Sequence, residues 1–243
     1  MSLDPKCRLL LLSSSHTPAT AYLEHARRYL RGLLGGKVRR VLFIPYARVD
    51  GDYAGYLART RPAFKAAGCE LAGIHDCAAP AQAIAEAEAL AVGGGNTFLL
   101  LHELYTRGLL RRLRQRIVHG VPYVGWSAGT NLACSTIRTT NDMPVIWPRR
   151  CQALALVPFQ INPHYIDAHP PAHTGETRAE RLTEFTLLNP HTPVVGLREG
   201  SALQVEDGRI RLLGRKSARI FCGGRAWNVA PRESLQFLLE QAA

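Results

Sequence analysis

The sequence has no uninterrupted apolar run near the roughly 20 residues that a membrane-spanning helix requires, so no such span is expected. It has no Cys-x-x-Cys pair. Its six cysteines (Cys7, Cys69, Cys77, Cys134, Cys151 and Cys222) are scattered, which argues against zinc or dithiol redox chemistry and for reduced thiols in a cytoplasmic protein. The opening stretch, "MSLDPKCRLLLLSSS", lacks the cationic lead of a signal peptide, and its "RLLLLSS" reads as a first buried strand. No linker, low-complexity tract or repeat interrupts the 243 residues, so one domain spanning 1–243 is expected.

What is abundant is positive charge. Lysine and arginine outnumber the acids 30 to 19, a balance of +11 that suits nucleic acid, an anionic surface or an acidic small substrate. The densest basic run, "RRLRQR" at 111–116, is threaded by Leu109, Leu110, Leu113 and Ile117 at helical spacing and has no interleaved aromatics. It therefore reads as the solvated face of an amphipathic helix, and no nucleic-acid partner is expected.

Short apolar runs alternate with amphipathic stretches. "RLLLLSS", "VRRVLFIPYA", "CELAGIHD" and "ALAVGGG" read as strands, with helices near 18–33, 52–67 and 79–87. This alternation predicts a parallel sheet covered by helices on both faces. A helical pattern from Asn96 to His119, broken at Gly108, leads into the strand "VPYVGWS", after which another helix should begin. Further on, "ALALVPFQI" (153–161) reads as a strand and "GETRAERLTEFTLL" as a helix. "VVGLREGSALQVEDGRIRLLG" then reads as strands with a tight turn at Asp207 and Gly208, and "RESLQFLLEQA" as a closing helix.

Two glycine-rich turns fall at predicted strand ends, where ligands bind in open parallel sheets: "GGGNT" at 93–97 and "GWSAG" at 125–129. The second fits Gly-x-Ser-x-Gly, a strand-to-helix turn that exposes a serine hydroxyl, here that of Ser127. The first has neither a Gly-Lys-Ser/Thr ending nor a Gly-x-Gly-x-x-Gly pattern, so its N–H groups suit an oxyanion better than a phosphate. A nucleophilic serine needs a base, and the base needs an orienting acid. His164, His169 and His173 crowd into "NPHYIDAHPPAH"; with Asp167 they are also the one cluster with the residue types of a metal site, although no metal is expected. His164 follows an apolar strand end, where a base is well supported. Asp142, Glu176 and Glu199 are the candidate acids, and Cys134 reads as a small packing residue.

The stretches "GGGNTF", "GVPYVGWSAGTN", "TIRTTNDMP", "LVPFQINPHY", "HTGETRAER" and "VVGLREG" closely resemble, in that order, the peptidase E (α-aspartyl dipeptidase) family of serine peptidases. The resemblance covers most of residues 92–200. It implies a three-layer flavodoxin-like, glutamine-amidotransferase-like α/β fold, with a mostly parallel central sheet and a C-terminal antiparallel portion. It further implies a Ser127–His164–Glu199 triad, an oxyanion hole from Gly95 and Ala128, and no cofactor. Arg178 would bind the substrate aspartate, with Asp142 and Asn96 as further substrate-binding positions. The substrates implied are dipeptides and short peptides with an N-terminal aspartate, and the assembly a monomer or homodimer. Two rivals stand beside it: a cyanophycinase-like peptidase acting on β-aspartyl-arginine polymer, and a non-catalytic nucleic-acid or nucleotide binding protein. An arginine-rich substrate suits a +11 chain poorly.

Overall fold

The computed structural model describes residues 4–167 and 174–240. Strands β1 (Leu9–Leu12), β2 (Arg40–Ile44), β3 (Glu70–Gly73), β4 (Ala89–Val92) and β5 (Tyr123–Trp126) run parallel in one sheet, in the order β3-β2-β4-β5-β1. Two antiparallel strands, β8 (Ala202–Glu206) and β9 (Arg209–Leu213), extend it beyond β1 to seven strands. The four leucines of β1 are all buried: Leu9 and Leu11 belong to the apolar core on one face of the sheet, Leu10 and Leu12 to that on the other. Burial on both faces is what a strand without polar alternation requires, and it makes the fold three-layered and flavodoxin-like.

The helices α1 (Arg27–Leu34), α2 (Tyr53–Ala66), α3 (Pro80–Glu86), α4 (Thr97–Thr106), α5 (Leu110–Val118) and α6 (Ala128–Ala133) connect these strands. In α5, Leu113 and Ile117 are buried while Arg111, Arg112 and Arg114 point to solvent, so the basic run is a helix face. The expected break near Gly108 separates α4 from α5.

A second sheet, in the order β11-β10-β7-β6, contains β6 (Gln160–Tyr165), β7 (Val194–Arg198), β10 (Ala218–Cys222) and β11 (Arg225–Val229). Strands β6 and β7 are parallel and are linked through α7 (Arg178–Leu188), which Thr177 and Glu180 start with a reciprocal capping box. The chain thus changes sheets between β7 and β8, which lie only four residues apart.

The apolar run 153–161 differs from the expected strand. Only its end joins β6; Leu154, Leu156, Val157 and Phe159 are buried without sheet pairing. The N–H groups of Leu154 and Leu156 instead donate to the carbonyls of Leu132 and Ala133, which the end of α6 leaves without helical partners. The closing helix begins later than its pattern, with α8 covering Phe237–Glu240 of the described residues. The hairpin of β10 and β11 turns on Gly223 and Gly224, both at positive φ, as a two-residue hairpin loop favours.

Candidate active site

Three strand ends meet at one edge of the fold. Ser127 follows β5 in a strained conformation, φ 53° and ψ −111°, that few non-glycine residues adopt. Its neighbours are small because the turn leaves no room: a Cβ on Gly125 would lie 2.5 Å from the Gly129 carbonyl oxygen, and one on Gly129 would lie 2.2 Å from that of Val92. Hydrogen bonds close the turn. The Ser127 N–H donates to Leu12 O at 3.2 Å, and the Thr130 hydroxyl contacts Leu12 O and Gly125 O at 2.7 and 3.0 Å.

The glycine turn after β4 lies alongside. A Cβ on Gly94 would come within 3.0 Å of the Ser127 Cβ, and Gly95 holds φ 137° against the carbonyl of Ala47. Tyr56 donates its hydroxyl to Gly94 O at 3.1 Å and accepts from the indole N–H of Trp126 at 2.9 Å, which ties the turn to β5. Ala128 opens α6, so its N–H belongs to the first turn, whose donors have no acceptor within the helix.

His164 is the extra residue of a bulge. Pro163 pairs with Leu197 and Tyr165 with Arg198, which leaves His164 between them at φ 54°. The bulge aims the ring at both partners: His164 Nε2 lies 3.0 Å from Ser127 Oγ, and Nδ1 lies 2.7 Å from Glu199 Oε1. Glu199 itself follows β7. A serine, an imidazole and a carboxylate in this chain can pass a proton from hydroxyl to ring while the carboxylate fixes the ring orientation.

A cleft of about 290 Å³ opens over this chain, lined also by Asp142 and Arg178. Arg178 is half-buried at the start of α7; burial pulls its guanidinium pKa below the ordinary arginine value, with Arg181 adding repulsion. Its Nη1 donates to His164 O at 2.7 Å. No hydrogen bond joins Asp142 to His164. Its Oδ2 accepts from the Thr97 N–H and hydroxyl at 2.8 and 2.5 Å and from Thr140 Oγ1 at 3.0 Å, securing the start of α4.

Asn96, expected as a substrate-binding position, stands directly before α4. It caps that helix by accepting from Leu99 N–H at 3.0 Å and donates to Met143 O at 2.7 Å, so one acceptor and one donor of its amide serve the fold. The remaining candidates make other contacts. Glu176 lies 3.4 Å from Arg181, and Asp167 is gripped by Arg198 at 2.6 and 2.5 Å, which lowers its carboxyl pKa. His169 and His173 lie outside the described residues, among which no group of three metal-ligating side chains occurs. Cys134 is fully buried, and that burial pushes its thiol up to about 12.

Sequence reasoning missed Asn131. It lines the cleft from α6, is buried, and its Oδ1 has no hydrogen-bond partner among the described residues. The signal was its spacing: four residues after Ser127, it recurs on the same side of the turn that follows.

An elbow serine held against a histidine, over a partly buried cation, is the equipment of a serine hydrolase, and comparison with known proteins narrows the class. The model of peptidase family S51 matches residues 9–213. The chain belongs to that family and is a serine peptidase. Relatives named Peptidase E include one from Nostoc sp., 47% identical over 237 residues (97% of this chain and 98% of that protein). Another, from Shewanella amazonensis, is 50% identical over 216 residues, 89% of this chain and 92% of that one. Among solved structures, a putative peptidase E from Listeria monocytogenes superposes with TM-score 0.66 at 20% identity, covering 86% of this chain and 99% of that one. A peptidase from an acI-B1 actinobacterium gives TM-score 0.70 at 17% identity, covering 94% and 96%. These two share the fold. No helix among the described residues is long and apolar enough to cross a membrane.

Proposed function

We propose that this peptidase removes N-terminal aspartate from dipeptides and short peptides through a Ser127–His164–Glu199 triad. The observation that carries the reading is the placement of Arg178 in the same cleft as the hydrogen-bonded serine, histidine and glutamate. A guanidinium offers paired donors that match a carboxylate, and partial burial strengthens the attraction. An arginyl substrate would meet this cation unfavourably.

Aspartate docks its side chain against Arg178, and Asp142 supplies a negative charge suited to the substrate ammonium. Ser127 Oγ then attacks the carbonyl carbon as His164 Nε2 takes its proton. The N–H groups of Gly95 and Ala128 hold the resulting oxyanion. His164 returns the proton to the leaving amine, the C–N bond breaks, and an acyl-enzyme remains on Ser127. Water, deprotonated by His164, attacks the ester and releases aspartate. Glu199 stabilises the imidazolium in both halves. No step calls for a metal or organic cofactor. We assign the enzyme to the cytoplasm, on the support of six scattered cysteines without the spacing of a disulfide framework, which suits a reducing compartment. A monomer or a homodimer serves this chemistry equally.

The test is release of free aspartate from Asp-Leu by wild type and by Ser127→Ala. Turnover by the first alone supports the reading. Equal turnover of Asn-Leu would overturn the specificity.

A further inference from the structure

The reacting groups sit on different sheets. Ser127 leaves β5 of the seven-stranded sheet, whereas His164 lies near the end of β6 and Glu199 directly follows β7 of the four-stranded one. Their spacing is therefore set between sheets, and proton transfer tolerates only a narrow range of distances, about 2.6 to 3.2 Å.

Residues after β1 bridge the gap: Ser14 Oγ accepts from the Gly200 N–H at 3.3 Å, and Ser13 reaches further. Ser13, directly after β1, donates its hydroxyl to Leu197 O at 2.6 Å and accepts from the His164 N–H at 2.9 Å. Its own N–H donates to Ser201 O at 3.0 Å. Leu197 and Ser201 stand two residues before and two after Glu199, so Ser13 braces the acid's segment on both sides. The preceding residue completes the link: Leu12 O accepts from the Ser127 N–H.

Ser13 is fully buried, and both hydrogen-bonding capacities of its hydroxyl are used. The residue it holds has a backbone that would relax if released, because His164 combines a bulge with positive φ. Arg178 grips the other side of the same residue through its carbonyl.

We propose that Ser13 is a positioning residue of the triad: its hydroxyl fixes the His164 backbone against the strand leading to Glu199 and so sets the imidazole between Glu199 and Ser127. This rests on the triad reading above. The experiment compares wild type with Ser13→Ala, Ser13→Cys, Ser127→Ala and Thr186→Val, measuring kcat and KM on Asp-Leu and the rate at which a phosphonylating reagent labels Ser127. Thr186 is a matched control, a buried hydroxyl that bonds Thr183 O and Gly224 N–H and does not line the cleft. Ser13→Ala should lose about 10-fold to 100-fold in kcat, with KM within about twofold and labelling slowed by a similar factor. Ser13→Cys retains a weak donor and acceptor and should fall between, while Thr186→Val keeps wild-type kcat.

Wild-type kcat and labelling in Ser13→Ala, or in Ser13→Cys if the alanine variant does not fold, would overturn the proposal. So would an equal loss in Thr186→Val. Active Ser127→Ala would instead reject the triad reading itself.

Discussion

The guanidinium of Arg178 donates from Nη1 to the carbonyl oxygen of His164 at 2.7 Å, so the cation proposed to read the substrate also holds the backbone of the base. On the proposed reading, specificity and proton transfer are mechanically joined at this bond. Arg178→Ala should lower kcat/KM for Asp-Leu by about 30-fold to several-thousand-fold, the range for truncating one side of a buried charge pair at about 2 to 5 kcal/mol. It should also slow labelling of Ser127, because His164 loses a support. Arg178→Lys, with a single point charge, should recover little. Steady-state kinetics beside labelling rates check both effects; unchanged labelling would show that the His164 bond is passive.

The two acids at the site should separate by kinetic signature. Glu199 meets the His164 ring at 2.7 Å, whereas Asp142 holds Thr97 and Thr140. Glu199→Gln should leave the fold intact and cost up to about 10⁴-fold in kcat, as loss of the orienting carboxylate does in a comparable triad. Asp142→Asn should act more on KM and on thermal stability. A greater kcat loss in Asp142→Asn than in Glu199→Gln would exchange the roles.

Gly129 is constrained by contact. A Cβ there would lie 2.2 Å from Val92 O, too close for any carbon, so the backbone of α6 or of β4 beside the elbow must shift. Overpacking of this kind costs about 1 to 3 kcal/mol, or roughly 2 to 12 °C in Tm for a chain of this size. Gly129→Ala should show that fall by calorimetry together with a loss of kcat. Wild-type turnover would mean that the elbow tolerates displacement.

Thiol chemistry should be irrelevant to turnover. The Cys134 thiol lies below the elbow with its pKa pushed up to about 12, so almost none is thiolate near neutrality. Iodoacetamide at pH 7.5 should leave Cys134 unmodified and activity unchanged, with mass spectrometry locating any label. Inactivation that tracks alkylation of Cys134 would contradict this.

The parts legible in the sequence were those fixed by local chemistry. The parallel strands announced themselves as unbroken apolar runs, and the elbow as Gly125, Ser127 and Gly129 around a turn with no space for side chains. What long-range packing decides was hidden. Residues 153–159 have a strand's composition, yet they spend backbone donors on the end of α6. A turn at Gly200 separates β7 from β8, but nothing local shows that they belong to different sheets. Asn96 enters through the family resemblance, and only the fold shows that its oxygen also caps the first turn of α4. Ser13 is one of three successive serines in "LLSSS", and only the fold reveals which of them reaches His164.

The most direct measurement compares kcat/KM for Asp-Leu and Asn-Leu in wild type, with Ser127→Ala as the blank. The two peptides differ by one charge, and the cation proposed to sense it lies in the cleft with the serine. The account predicts efficient release of aspartate, rejection of the asparagine peptide by about two decades or more, and no turnover by Ser127→Ala. Comparable kcat/KM for the two peptides, or aspartate release by Ser127→Ala, would contradict it.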